Sequence, residues 1–138
     1  QRVNPHTEME YSIPAEQGPA CVAEIRELLE RKFPDVAWPI EYRTVAPDDV
    51  WLSPAHKRPT VTISIHEDVV RDETAYYRSA EEIFRSYGGR PHWGKVHYLN
   101  ADELSGEYER WSAWWQIRNE LDPTETLLNE DLKKLRSP

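Results

Sequence analysis

Apolar and polar residues alternate from Thr7 to Ile13: Met9, Tyr11 and Ile13 fall on one side, Glu8, Glu10 and Ser12 on the other, and Pro14 ends the run. Such a run is a strand with one buried face. The period then changes. Pro19 suits the first turn of a helix through about Phe33, with Val22, Ile25, Leu28, Leu29 and Phe33 on one stripe, Glu27 and Arg31 paired outward, and Pro34 as the stop. Alternation returns from Trp38 to Val45, setting Ile40, Tyr42 and Thr44 against Glu41, Arg43 and Val45. It is cleanest after Pro59, where Val61, Ile63 and Ile65 oppose Thr60, Thr62, Ser64 and His66. Both runs predict half-buried strands. The irregular stretch 48–54 between them predicts an ordered loop pinned by Trp51.

Asp72 is placed to cap a helix over about 73–87, with Tyr76, Ala80, Ile83, Phe84 and Tyr87 on its apolar face and Gly88 just past its end. An extended segment follows over 90–98. Asn100 and Glu103 then have the spacing of a capping box, and Leu104, Tyr108, Trp111, Trp115 and Arg118 continue at helical spacing to Leu121, with Gly106 expected to divide the run. Strand, helix, strand, strand, helix, strand and a helical tail predict an α+β fold, the ferredoxin-like split β-α-β sandwich. Its two crossover helices cover one face of an antiparallel sheet. The other, exposed face then collects Glu8, Glu10, Glu41, Arg43, Thr62, Ser64 and His66, and Lys95 joins them if the last strand is in register.

At 138 residues this is one domain with room for a core, without internal repeats or low-complexity tracts. A net charge of −8 argues against nucleic acid or an anionic membrane surface as partner, since either selects a basic face. Cys21 is the single cysteine, so no internal disulfide forms, and its apolar neighbours predict a buried thiol. No apolar run is long enough to cross a bilayer, and no secretory signal is visible. The chain opens on Gln1 rather than methionine and reaches its first strand within a few residues, which reads as a piece of a longer protein.

Against that acidic background Gly88-Gly89-Arg90-Pro91-His92-Trp93-Gly94-Lys95-Val96-His97 concentrates cations, imidazoles and an indole. Two glycines before the Pro91 turn predict a forced turn, and the cations suit an anionic or electron-rich small molecule. Glu41 and Arg43, two apart on a strand, point the same way and can meet one ligand. Trp93 is the one indole expected near a ligand, because Trp111, Trp114 and Trp115 crowd a single helix. His92 and His97, five apart, fall on opposite faces of an extended segment, so no metal site is expected there; His6 and His56 fall in loops and carry no argument. No phosphate-cradling glycine loop, Gly-x-Ser-x-Gly elbow or Cys-x-x-Cys pair is present.

The His92-Trp93-Gly94-Lys95 run resembles the signature near the carboxyl end of the aldonolactone oxidase family, the flavin-linked oxidases of sugar lactones and polyols. Ile40-Glu41-Tyr42-Arg43-Thr44-Val45-Ala46 with Trp51-Leu52-Ser53-Pro54-Ala55 is similar to a second block of that family. Trp114 to Pro123 with Leu127-Leu128-Asn129 is similar to its terminal Arg, Leu-Asp-Pro and Phe-x-Asn pattern, and Leu128 stands where a bulky Phe is usual. The resemblance covers roughly Glu8 to the carboxyl end.

The resemblance implies that the chain is the carboxyl-terminal substrate, or cap, domain of an FAD-linked oxidase or dehydrogenase. FAD would then be held mainly by an amino-terminal domain outside these residues, and this chain alone is expected to be inactive. The implied reaction is hydride transfer from a carbinol C–H to flavin N5, on a D-arabinono- or L-gulono-1,4-lactone or an open-chain alditol. The implied catalytic set is Lys95, at the flavin-substrate junction, with Glu41 and Arg43. His66, Thr62 and Trp93 are expected to bind substrate, and His92 and His97 to contact the cofactor edge. A cytoplasmic location is expected, with peripheral membrane association of the longer protein left open. The alternative is a non-catalytic ferredoxin-like binding or regulatory module that self-associates through its open sheet face.

Overall fold

The structure, a computed structural model, describes residues 5–136. Strand β1 (His6–Pro14) leads through a short 3-10 turn into α1 (Gly18–Lys32), followed by β2 (Glu41–Val45), β3 (Thr60–Asp68), α2 (Thr74–Ser86) and a short β4 (Arg90–Pro91). Helices α3 (Ala101–Glu107), α4 (Trp111–Leu121) and α5 (Glu130–Lys134) complete the chain. The sheet order is β2-β3-β1-β4 with every pairing antiparallel, the arrangement that the split β-α-β pattern predicts.

Met9, Tyr11, Ile13, Val61, Ile63 and Ile65 point at α1 and α2, where Cys21, Ile25, Tyr77, Ala80 and Phe84 meet them in one core. Burial pushes the Cys21 thiol up to about 12, which leaves it inert as a nucleophile. Polar groups inside this core are paired. Glu81 of α2 is buried and accepts from the Tyr11 hydroxyl at 2.6 Å and from the Tyr98 amide at 2.8 Å. A second core, built from Leu99, Leu104, Tyr108, Trp111, Trp115 and Leu128, holds the carboxyl-terminal helices together.

The predicted end of α2 is observed, but its start is not capped as expected: Glu73, not Asp72, is the N-cap and makes no side-chain cap hydrogen bond, while Asp72, one residue earlier, accepts from the Thr74 amide at 2.9 Å. Gly88 takes a left-handed φ of +67° just past the helix. Gly88 and Gly89 return amide hydrogen bonds to the carbonyls of Arg85 and Phe84, both at 2.9 Å, which closes the helix. Asn100 and Glu103 form the expected capping box of α3.

Four expectations need correction. The strand predicted from Trp38 begins only at Glu41, since Pro39 has no amide hydrogen for the ladder. It is also exposed on both faces rather than half-buried, as an edge strand with β3 alone beside it. The 48–54 loop is ordered, but by Asp48, whose carboxylate accepts from the Val50 amide at 2.9 Å and the Ser53 hydroxyl at 2.6 Å; Trp51 is among the exposed apolar residues. The long carboxyl-terminal helix breaks at 108–110, not at Gly106, which stays inside α3.

The two adjacent glycines serve different needs, and substitution separates them. A Cβ on Gly88 meets only the tip of Arg58 at 4.0 Å, whereas one on Gly89 lands 2.6 Å from the Phe84 carbonyl oxygen and 2.8 Å from Ile13. Gly88→Ala should therefore cost about 1 kcal/mol through its backbone angle alone. Gly89→Ala should cost about 1–3 kcal/mol through overpacking. Urea unfolding midpoints of the two variants would show the ranking; equal losses would mean that the Gly89 backbone yields freely.

Candidate active site

The face of the sheet away from α1 and α2 carries the polar row that alternation predicts. Register fixes its order: Glu8 lies opposite His66, Glu10 and Glu41 flank Ser64, and Ser12 and Arg43 flank Thr62. This face is less open than expected. Glu10, Ser12, Thr62, Ser64 and His66 are all buried, because long side chains from the rim lie over them. Arg43 reaches across Ser64 to Glu10, His6 and Trp38 pack on His66, and Arg58 and Arg90 close the end at Ser12.

Arg43 donates from Nη2 to Glu10 Oε2 at 2.7 Å, and the Ser64 hydroxyl donates to the same oxygen at 2.9 Å. Glu41, the partner that sequence spacing assigns to Arg43, stands farther away at 3.9 Å. Arg43 is thus held by Glu10 from below while Glu41 remains half-exposed beside it. The Thr62 hydroxyl oxygen is buried with no hydrogen-bond partner among the described residues, an acceptor and donor left open next to Arg43.

Lys95 arrives by a different route from the one predicted. The extended segment stops at Pro91 and turns: the Lys95 amide donates to the His92 carbonyl at 3.0 Å, and the His92 ring nitrogen Nδ1 accepts from the Gly94 amide at 3.0 Å. Pairing with β1 continues on both sides of this turn, from the His92 amide to the Glu10 carbonyl and from the Val96 amide to the Glu8 carbonyl, each at 2.9 Å. The turn sets the Lys95 ammonium directly on Glu8 Oε2. Burial pulls the Glu8 carboxyl up, but the hydrogen bond and charge of Lys95, aided by His66, outweigh it and leave it below the ordinary glutamate value.

The remaining candidates do not join this row. Trp93 packs in the second core, with ring centroids 5.4 Å from Trp111 and 6.0 Å from Tyr108. His92 is exposed and tied to its own turn. His97 lines a cleft of about 650 Å³ with Trp93, Leu99, Asn129 and Leu135, and burial holds its ring below the usual histidine range. Because the strand ends before His92, the two-faced argument against a metal at His92 and His97 loses its basis. His6 lies not in a loop but at the start of β1.

Glu8, Glu10 and Ser64 are the residues that hold Arg43 and Lys95 in place. Alternation already put them on this face; their pairings depend on register and on the 92–95 turn. The Leu-Asp-Pro block acts in folding, where Asp122 pairs with Arg118 at 2.5 Å and accepts from the amides of Thr126 and Leu127 at 2.8 and 2.9 Å.

The sequence model of D-arabinono-1,4-lactone oxidase matches residues 1–135. The chain is 39% identical over its whole length to L-gulono-1,4-lactone dehydrogenase of Mycobacterium tuberculosis, of which it spans 32%. It is 32% identical to L-gulonolactone oxidase of Mus musculus over 91% of the chain and 30% of that protein. It is 40% identical to alditol oxidase of Streptomyces sp. over 69% of the chain and 23% of that protein. The protein belongs to the D-arabinono-1,4-lactone oxidase family, a family of oxidoreductases, and spans about a third of the length of the curated relatives it matches. Among the described residues no helix is long and apolar enough to cross a membrane.

The lowered Glu8 carboxyl makes stability depend on pH in a defined direction. Between the folded value and the unfolded value of about 4.3, the unfolded chain binds more protons, so stability rises with pH. The contribution of Glu8 is therefore present above that window and lost as pH falls through it. Glu8→Gln should be less stable than wild type at pH 7, with the difference shrinking at pH 3, as read from urea midpoints. A gap of equal size at both pH values would contradict the ion pair.

Proposed function

We infer that this chain is the substrate-binding, carboxyl-terminal part of an FAD-linked oxidase or dehydrogenase of sugar lactones or polyols, completed by an amino-terminal FAD domain. The observation that carries this reading is the row of held cations: Arg43 on Glu10 and Lys95 on Glu8, beside the unpartnered buried Thr62 hydroxyl. Such a row suits a polyhydroxylated ligand, since Glu41 can accept from its hydroxyls while Arg43 donates to them. A non-catalytic module gives no reason for anchoring two cations on carboxylates of the central strand, one buried and one partly buried.

The residues present fit the reacting edge of a flavin and its substrate. They do not fit the whole cofactor, because the sequence has no glycine-rich loop for the pyrophosphate. Flavin, when bound, supplies the two-electron acceptor at N5 that takes the carbinol hydride. Around it Arg43 and Glu41 orient the carbinol, and Lys95 stabilises negative charge that develops during transfer. Glu10, Ser64 and Glu8 position the two cations before substrate arrives, so little reorganisation remains at the moment of reaction. His66 lies next to Glu8 and lines the same row, where a change of side chain would alter which hydroxyls are accepted.

Lys95→Met in the full-length, flavin-loaded protein keeps most of the aliphatic stem and removes the charged head. Anaerobic stopped-flow reduction by saturating lactone should slow about a hundred-fold or more, the loss typical of a preorganised electrostatic donor. Arg43→Lys should also be slow, since an ammonium lacks the planar donor fork. Wild-type reduction rates in Lys95→Met would remove Lys95 from the reaction.

A further inference from the structure

Strand alternation and the β1–β3 register bring two imidazoles and a carboxylate to one patch of the polar face. His6 and Glu8 are two apart on β1, and Glu8 lies opposite His66 on β3. One ligand atom from each of the three lies within 4.8 Å of the other two. We propose that His6, Glu8 and His66 form a binding site for a divalent transition-metal ion of the zinc type.

The orientation of His66 points to it independently. Its Nδ1 lies 3.2 Å from the Pro39 carbonyl, which can only accept, so Nδ1 carries the hydrogen. In the neutral ring Nε2 then presents a lone pair, and it lies 3.7 Å from Glu8 Oε1, an anionic acceptor. That separation exceeds a hydrogen bond and leaves a place for a cation between the two atoms. An imidazole held by a carbonyl at one nitrogen and open at the other is the arrangement of metal-ligating histidines. The ring is buried and packed by His6 at 5.1 Å and Trp38 at 5.9 Å, which restrains its swing.

Two nitrogens and one carboxylate suit zinc or cobalt; magnesium and calcium prefer all-oxygen sets. Tetrahedral ligands at about 2.0–2.2 Å from zinc lie about 3.3 Å apart, so no pair of the three atoms need close by more than about 1.5 Å. Small rotations of His6 and Glu8 at the start of β1 supply that movement. Lys95 is the competing cation, since its ammonium occupies Oε2 of the same carboxylate. Metal binding would weaken that pair, so on the function proposed above a loaded site would slow flavin reduction. Only this consequence rests on that reading; the binding does not.

Isothermal titration of the metal-free, full-length protein with Zn2+ tests the site directly. One equivalent should bind, His6→Gln and Glu8→Gln should each weaken binding ten-fold or more, and Lys95→Met should strengthen it by removing the rival charge. Since His66 is buried, the wild-type visible spectrum with Co2+ serves as a measurement that needs no variant there, and it should show the d–d bands of imidazole coordination. Absence of Zn2+ binding, or wild-type affinity in a folded His6→Gln, Glu8→Gln double variant, would overturn the proposal.

Discussion

The register of β1 against β3 is the constraint on which the site depends. Nine residue pairs, from His6 with Asp68 to Pro14 with Thr60, fix which side chains share each face. A slip of one residue would send Glu8 and Glu10 into the apolar core and Met9, Tyr11 and Ile13 out of it. That penalty makes the register secure: the residues holding the fold together are interleaved with those that hold the cations.

Carboxylates on the central strand β1 give the site its stiffness. Arg43 comes from an exposed edge strand and Lys95 from a turn, two places where long side chains would otherwise wander. Glu10 and Glu8 tether them, and the Ser64 hydroxyl donates a further hydrogen bond to Glu10. Burying charge is costly unless it is paired and hydrogen-bonded, and both conditions are met here. The same tethering lets the charged groups face solvent or ligand on one side while Glu10 stays buried and Glu8 stays partly buried.

Much of this was legible in the sequence. Period-two alternation placed Met9, Tyr11 and Ile13 inward and Glu8 and Glu10 outward, and the βαββαβ order predicted the sheet order found. Glu41 and Arg43 were visible as a pair because residues two apart on a strand share a face. Spacing within one strand says nothing about the neighbouring strand, so the closer Glu10 partner of Arg43 was not visible. Alternation puts Lys95 on the polar face only if the last strand keeps register, whereas a Gly94-containing turn set between two hydrogen bonds to β1 delivers it. Trp93 looked like a ligand contact from its neighbours Gly94 and Lys95, yet its ring packs among Tyr108, Trp111 and Trp114, a long-range clustering that local sequence does not encode.

On the function proposed above, two regions compete for the substrate: the cation row over β1, β2 and β3, and the cleft of about 650 Å³ lined by Trp93, His97 and Leu135. A crystal structure of the flavin-loaded, full-length protein with a bound sugar lactone separates them most directly. The lactone hydroxyls should lie within hydrogen-bond distance of Arg43 and Glu41, with Lys95 next to the reacting carbon. Lactone seated in the Trp93 and His97 cleft, with Arg43 and Lys95 untouched, would contradict the account.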